Sequence, residues 1–405
     1  MKLLLVTTVF PSPLQPQRGA FNFEMVRAFR PANDVRVIAP VAWPVALRAR
    51  WQRRQWDDTR QIDGIEVRHP VYFYTPRALR TQYGAFFRWS IQAAVDDLIL
   101  QGFAPDVVVG YWAHPDGHAA MALARRLGVP GVVMVGGSDI LLLGEEAGRG
   151  RVIRQVLEDA DAIVTVSEDL KRALSRWEIS PSKVHVVYRG VDLTRFTPGS
   201  QVEARRLLGI DETKPMLLYV GHLVAVKGLD VLLAACAKAA ERADFHLYLV
   251  GDGPMKATLQ RACAELRITD RVRFVGAVDH RALPDWYRAA DRTLLSSRSE
   301  GVPNVLLESA ASGTSFIAPH LGGIPEIADT FADRLVPPGN GSALADAIVD
   351  SLAVRRFVQR QVTPASLQTS ALRMLDVFAS TTTPARRTQA AAASVRAVQS
   401  EGARS

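Results

Sequence analysis

The sequence predicts an α/β protein built as two doubly wound parallel-sheet domains, and three observations carry that expectation. Short apolar, β-branched runs alternate with Ala-, Leu- and Arg-rich helical stretches through most of the chain, the pattern of repeated βαβ units. Most of the runs are apolar throughout, as strands are when helices cover both faces of their sheet. The length of 405 residues is roughly two to three times that of an average domain.

Taken in order, strands are expected at residues 2–10, 35–40, 106–112, 131–137, 162–167 and 184–189. The segment GVDLTRFTPGS (190–200) then gathers Gly190, Pro198 and Gly199 with the polar Asp192, Thr194 and Arg195, a linker between two strand series. A second series follows at 216–221, 245–251, 272–278, 292–297, 315–319 and 334–336. Residues 381–405 are biased to Ala, Ser, Thr and Arg with almost no large apolar side chain, and read as a disordered tail.

Composition narrows the class. With 48% hydrophobic and 22% charged residues the chain is neither disordered nor fibrous. Cys236 and Cys263 sit in apolar helical stretches without a CxxC or Cys/His cluster, so they read as core residues and no zinc site is expected. No run of about 18 uncharged apolar residues occurs, and prolines interrupt the opening MKLLLVTTVFPSP, so a cytoplasmic, non-spanning protein is expected.

The net charge of +8 is confined to two segments. Nine arginines face four acids between residues 45 and 90, eight face two between 355 and 405, and the remainder is slightly acidic. That distribution argues against a general nucleic-acid binder, and no nucleic-acid motif accompanies it. The first segment interleaves its arginines with Trp43, Trp51, Trp56, Tyr72, Phe73, Tyr74, Tyr83, Phe86, Phe87 and Trp89. Cations for anionic headgroups beside rings for the acyl boundary suit a peripheral contact with an anionic membrane, although some of these rings are ordinary core.

In open parallel sheets, ligands bind outside the carboxyl ends of the strands, so the loops there are where chemistry is expected. Gly221 to Gly228 joins a glycine turn and Lys227 to a helix start, a cradle for an anion such as a phosphate, a solvated lysine being the alternative. Gly251-Asp252-Gly253-Pro254 is a second strand-to-helix turn. The strongest element is SEGVPNVLLE: Glu300 at a strand end, Gly301 allowing close approach, Pro303 at a helix start, and Glu308 one turn beyond Asn304. Two carboxylates at separated points fit the hydroxyls of a sugar nucleotide. His320-Leu321-Gly322-Gly323-Ile324-Pro325 repeats the glycine-rich helix entry. In the first half, Gly19 either admits a phosphate or sugar to the backbone or belongs to a plain loop. His114, His118 and Asp139 are candidates for acceptor contacts or acid–base work, a structural role being the alternative for each.

These motifs together resemble the retaining glycosyltransferases of family four. EGVPNVLLE is similar to that family's E-x7-E signature, and YVGHLVAVKG, VGDGP, VRFVGAVDHRALPDWY and GGIPEI fall in its order, the likeness running over residues 1–355. The resemblance implies the GT-B architecture: two Rossmann-like doubly wound domains facing a cleft. It implies an acceptor-binding domain at 1–190, a nucleotide-sugar domain at 191–355, and a last helix within 356–380, placed at 364–378, crossing back to the first domain. It further implies that Lys227 binds the donor diphosphate, that Glu308 takes the ribose hydroxyls, and that Val278 and Leu283 border the base. Glu300 and the backbone through Val302, Pro303 and Asn304 would hold the donor sugar. No metal or cofactor is implied, and anomeric configuration is retained.

This sequence departs from the family pattern in three places. The family most often has Arg where His222 stands, a His where Tyr111 precedes Trp112, and Asn where Arg189 opens RGVD. The expected activity is transfer of a hexose from a nucleoside-diphosphate sugar to a lipid-linked or glycan acceptor, at the cytoplasmic face of the membrane, in polysaccharide, glycolipid or lipopolysaccharide assembly. A nucleotide-sugar binder without catalysis is the alternative.

Overall fold

The computed structural model describes residues 1–16, 18–211, 213–353 and 360–382. The chain divides into two compact units. Residues Met1–Tyr188 and the helix Leu367–Thr381 form one; Arg189–Ser366 form the other.

The first unit is built on an eight-stranded sheet. Its order is Val184–Val186, Ala162–Thr165, Gly131–Val135, Val107–Tyr111, Lys2–Val6, Asp34–Ile38, Ile65–Arg68 and Thr59–Ile62, parallel except for the last pair. The second unit has six parallel strands ordered Val272–Gly276, His246–Val250, Met216–Val220, Arg292–Leu294, Phe316–Pro319 and Arg334–Val336. Central strands such as Gly131–Val135 and Met216–Val220 are buried at every position, which explains their unbroken apolar sequence.

Every expected strand is present, several of them shorter. The first ends at Val6, not at residue 10, because Thr7 and Thr8 turn their polar groups into a loop that Pro11 and Pro13 cannot extend as a ladder. The sequence reading passed over Thr59–Ile62 and Ile65–Arg68. They form an edge hairpin rich in polar residues, with Asp63 and Gly64 at the turn in the left-handed region. The expected tail lies outside the described residues but for its first two.

The closing helix is Leu367–Thr381, three residues later at each end than the stretch marked from sequence. Its face of Ala371, Met374, Val377 and Phe378 joins the core cluster that includes Val26, Phe29, Val35 and Leu3. The Phe378 ring meets Phe29 edge-on at 5.7 Å. Before it, Val191 N–H donates to the Ala365 carbonyl at 2.9 Å, so the outgoing and returning segments run side by side.

Because Phe378 is fully enclosed, truncating it leaves a ring-sized cavity. Phe378→Ala is expected to cost about 3–5 kcal/mol of unfolding free energy, read as a fall in denaturation midpoint without a change in denaturant slope.

Candidate functional site

Each sheet has one place where successive connections diverge to opposite sides, leaving a crevice at the strands' carboxyl ends. In the second unit it lies between Met216–Val220 and Arg292–Leu294. The loops that flank it are 221–228 and 296–303, the two that carry Lys227 and Glu300.

These loops touch backbone to backbone. Gly228 has φ 62°, and a Cβ there would stand 2.1 Å from the Ser296 carbonyl oxygen, so only glycine fits. Ser296 Oγ donates to the Lys227 carbonyl at 3.0 Å, and Arg298 N–H donates to the Val226 carbonyl at 2.8 Å. Held in this way, Lys227 Nζ donates to Glu300 Oε1 at 2.6 Å, with both side chains largely covered. Arg298 is engaged by Asp230 at 2.6 Å.

The neighbouring loops complete the rim. His222 Nδ1 lies 2.7 Å from the Asp252 carbonyl, and Leu223 N–H donates to the same oxygen at 3.0 Å. Gly323 N–H donates to the Gly301 carbonyl at 2.8 Å, clipping the 320–323 turn onto the 300 loop. Burial and the nearby Glu300 carboxylate raise the Tyr219 phenol, so it stays protonated and donates to the His222 carbonyl at 3.1 Å.

Glu308 faces inward from the helix Asn304–Ala311. Its Oε2 accepts from the Tyr287 hydroxyl at 2.8 Å and its Oε1 from His280 Nε2 at 2.9 Å. Arg195 Nη1 lies 3.3 Å from His280 Nδ1, which fixes the imidazole proton on Nε2. Burial first, and then the Glu308 charge, push Tyr287 well above its ordinary value. Asn304 opens the same helix and accepts from Arg189 Nη1 at 3.3 Å. Val302 and Pro303 are buried beside it. Val278 is half-buried after the strand Val272–Gly276, and Leu283 begins the helix Leu283–Ala289. The sequence reading missed His280, Tyr287 and Arg189 as contacts of this set, since nothing in spacing pairs residue 280 with 308.

The first unit diverges between Lys2–Val6 and Val107–Tyr111. There Asp116, fully buried, accepts from Thr8 N–H at 2.8 Å and Thr8 Oγ1 at 3.0 Å. Gly19 has φ 67°, and a Cβ would stand 2.3 Å from the Val9 carbonyl, so its close approach is to the chain itself. Asp139 is likewise enclosed. Its carboxylate accepts from the amides of Ala113 at 3.0 Å, Gly136 at 3.1 Å and Gly137 at 3.0 Å, which gives it a loop-holding role. His114 is only 1% exposed; burial pushes it down to about 4, and its Nε2 has no hydrogen-bond partner among the described residues. His118 is half-buried beneath Gly84, where a Cβ would fall 2.5 Å from its ring.

Comparison with known proteins fits this layout. The family model described as "Glycosyltransferase Family 4" matches residues 19–195, and "Glycosyl transferases group 1" matches 214–353. The chain is 28% identical over 358 residues to the putative teichuronic acid biosynthesis glycosyltransferase TuaC of Bacillus subtilis, covering 86% of this chain and 88% of TuaC. It is 30% identical over 362 residues to a D-inositol 3-phosphate glycosyltransferase of Salinispora tropica, covering 78% and 73%. Other D-inositol 3-phosphate glycosyltransferases match over about half of their length. Among solved structures, sucrose-phosphate synthase from Thermosynechococcus elongatus superposes with TM-score 0.72 at 20% identity, over 100% of this chain and 99% of that one. HepE of Anabaena, solved in complex with UDP-glucose, gives 0.67 at 16%, over 96% and 98%. The fold is therefore GT-B, and the protein is a glycosyltransferase. The chain belongs to glycosyltransferase family 4.

Asp116 offers a pH test of the first crevice. Burial pushes its carboxyl up to about 7 against the lowering effect of the Thr8 bonds. The folded chain then binds more protons than the unfolded one between the ordinary aspartate value of 3.8 and about 7, so stability falls as pH rises through that window. The slope from this one group is at most about 1.4 kcal/mol per pH unit. Asp116→Asn is expected to flatten it, seen by comparing denaturation midpoints of the two proteins across that range.

Proposed function

We propose that the protein is a retaining, metal-independent hexosyltransferase that moves a hexose from a nucleoside-diphosphate sugar to a lipid-linked or glycan acceptor. The observation that carries this reading is the 2.6 Å Lys227–Glu300 pair set in the crevice of the second sheet, with Glu308 one turn into the helix Asn304–Ala311 that follows.

In this reading the second unit binds the donor. Lys227 and His222 meet the diphosphate, and Lys227 stabilises the charge that develops as it leaves, work a divalent cation does in other sites. Glu300 and the backbone of Val302, Pro303 and Asn304 hold the sugar. Glu308 accepts ribose hydroxyls through lone pairs not taken by His280 and Tyr287, and Val278 and Leu283 border the base. The bond from the anomeric carbon to the phosphate oxygen breaks with its electron pair leaving on the phosphate. The acceptor oxygen bonds that carbon from the same face, and its proton leaves to the phosphate or solvent. No cofactor is required.

The first unit binds the acceptor, with His118 the most accessible of the first-half candidates. Membrane contact is supported by exposure: Trp51 is 80% exposed, Trp89 70% and Leu79 60%, amid Arg48, Arg50, Arg53, Arg54, Arg77, Arg80 and Arg88. No helix among the described residues is long and apolar enough to cross a membrane, so the proposed contact is peripheral, at the cytoplasmic face. The part TuaC's name gives it in teichuronic acid biosynthesis favours a polysaccharide setting.

Turnover of UDP-, GDP- and ADP-sugars is expected for one base, unchanged by EDTA. Lys227→Ala and Glu300→Ala should each lower kcat/KM by on the order of 10²-fold or more. Turnover of none, or full activity in both variants, would overturn the reading. Vesicles containing phosphatidylglycerol should co-sediment the protein and neutral vesicles should not. Trp51→Ala with Trp89→Ala should release it, and equal pelleting of that double variant would refute the contact.

A further inference from the structure

The segment 190–200, a linker by its sequence, reaches the surroundings of Glu308. Arg195 Nη1 lies 3.3 Å from His280 Nδ1. The next residue, Phe196, is almost fully enclosed, its ring centred 5.3 Å from the His280 imidazole and 6.0 Å from the Tyr287 ring. The segment is itself held in place. Asp192 Oδ1 accepts from Thr194 N–H at 3.1 Å and from Thr194 Oγ1 at 2.6 Å, and Arg288 Nε donates to the Thr197 carbonyl at 2.9 Å. Arg195 and Phe196 therefore meet the two donors of Glu308 from a fixed backbone.

Those two donors are not equivalent. The Tyr287 hydroxyl has a single proton, which it gives to Glu308 Oε2 at 2.8 Å. A neutral imidazole carries its proton on either nitrogen, and only the Nε2–H form donates to Glu308 Oε1, 2.9 Å away. The other form would turn a lone pair on the carboxylate oxygen and push it aside. A guanidinium only donates, so Arg195 requires the lone pair on Nδ1 and leaves the proton on Nε2. With both bonds made, two of the roughly four lone-pair sites of the carboxylate are used, and the others keep one direction.

We propose that Arg195 and His280 are positioning residues that make the donor site select a ribonucleotide: by fixing the Glu308 carboxylate they aim its remaining lone pairs at the vicinal hydroxyls of the ribose. This rests on the ribose role proposed above for Glu308. The selection follows from the cost of an unmet acceptor, since a covered carboxylate oriented for hydroxyls finds no substitute when they are missing. The linker thus helps to choose the donor through His280.

Calorimetry on the full chain with UDP, GDP and ADP finds the base that binds, and that nucleotide is then compared with its 2′,3′-dideoxy form. The ratio of the two dissociation constants reads the hydroxyl contacts, because contributions from base and diphosphate cancel. The wild type is expected to prefer the ribo form on the order of tenfold to a hundredfold, and Glu308→Ala to abolish the preference. His280→Leu should lose most of the preference while binding the dideoxy form as the wild type does. His280→Gln, whose amide N–H can stand in for Nε2–H, should keep most of it. Arg195→Met should lower the preference in the wild-type background and leave it unchanged in the His280→Gln background, because an amide has no tautomer to choose. Full preference in His280→Leu, or an equal loss on Arg195→Met in both backgrounds, overturns this proposal and leaves the donor site standing. A wild type without the preference removes the ribose role of Glu308 and this proposal together; if no nucleoside diphosphate binds, the donor site falls as well.

Discussion

The structure depends on holding apart and holding still two loops at each sheet's point of divergence. A doubly wound sheet supplies the crevice without further instruction, but loops at the ends of buried strands have no ladder to fix them. In the second unit Lys227–Glu300 spans the crevice, and in the first Thr8–Asp116 does so. In the second unit a backbone contact too close for a Cβ, Gly228 against Ser296, stands beside the span and joins the two loops, whereas in the first Gly19 against Val9 folds the single loop 7–19 back on itself.

The two spans differ in what they leave available. Asp116 is fully enclosed, and Asp139 gives its carboxylate to three amides, so these acids hold loops and keep little to offer a ligand. Glu300 and Glu308 are also mostly covered, yet each touches its neighbours through one bond per oxygen at most. A carboxylate has about four lone-pair sites, so hydroxyl groups of a sugar and a ribose have acceptors to meet.

Much of this was legible in the sequence because the second unit places its chemistry on strand-to-helix loops with glycine and proline punctuation. The runs before Gly221, Gly251 and Glu300 announce strands, and the glycines announce close approach. What escaped was of two kinds. Thr59–Ile62 lacks an apolar run because it is the solvated edge strand, and Ile65–Arg68, although mostly buried, alternates Ile65 and Val67 with the charged Glu66 and Arg68. The contacts of Glu308 with His280 and Tyr287 join separate elements of the fold, and no local pattern encodes a meeting across 28 and 21 residues. Asp139 and Gly19 stand out in the sequence, but it is the folded chain that sets its own amides against the one and a carbonyl against the other.

The set around Glu308 shows how such a hidden contact controls the visible one. A buried carboxylate needs donors in place of the water it has lost. Tyr287 and His280 each supply a donor, and Arg195 on the far side of His280 keeps that imidazole's proton on the nitrogen facing the glutamate. The carboxylate plane of the glutamate is thereby fixed from two directions. Replacing either donor by an apolar side chain of similar size would leave the signature residue in place and remove the constraint that aims it. A motif therefore identifies the loop, while residues that no motif contains decide where its carboxylate points.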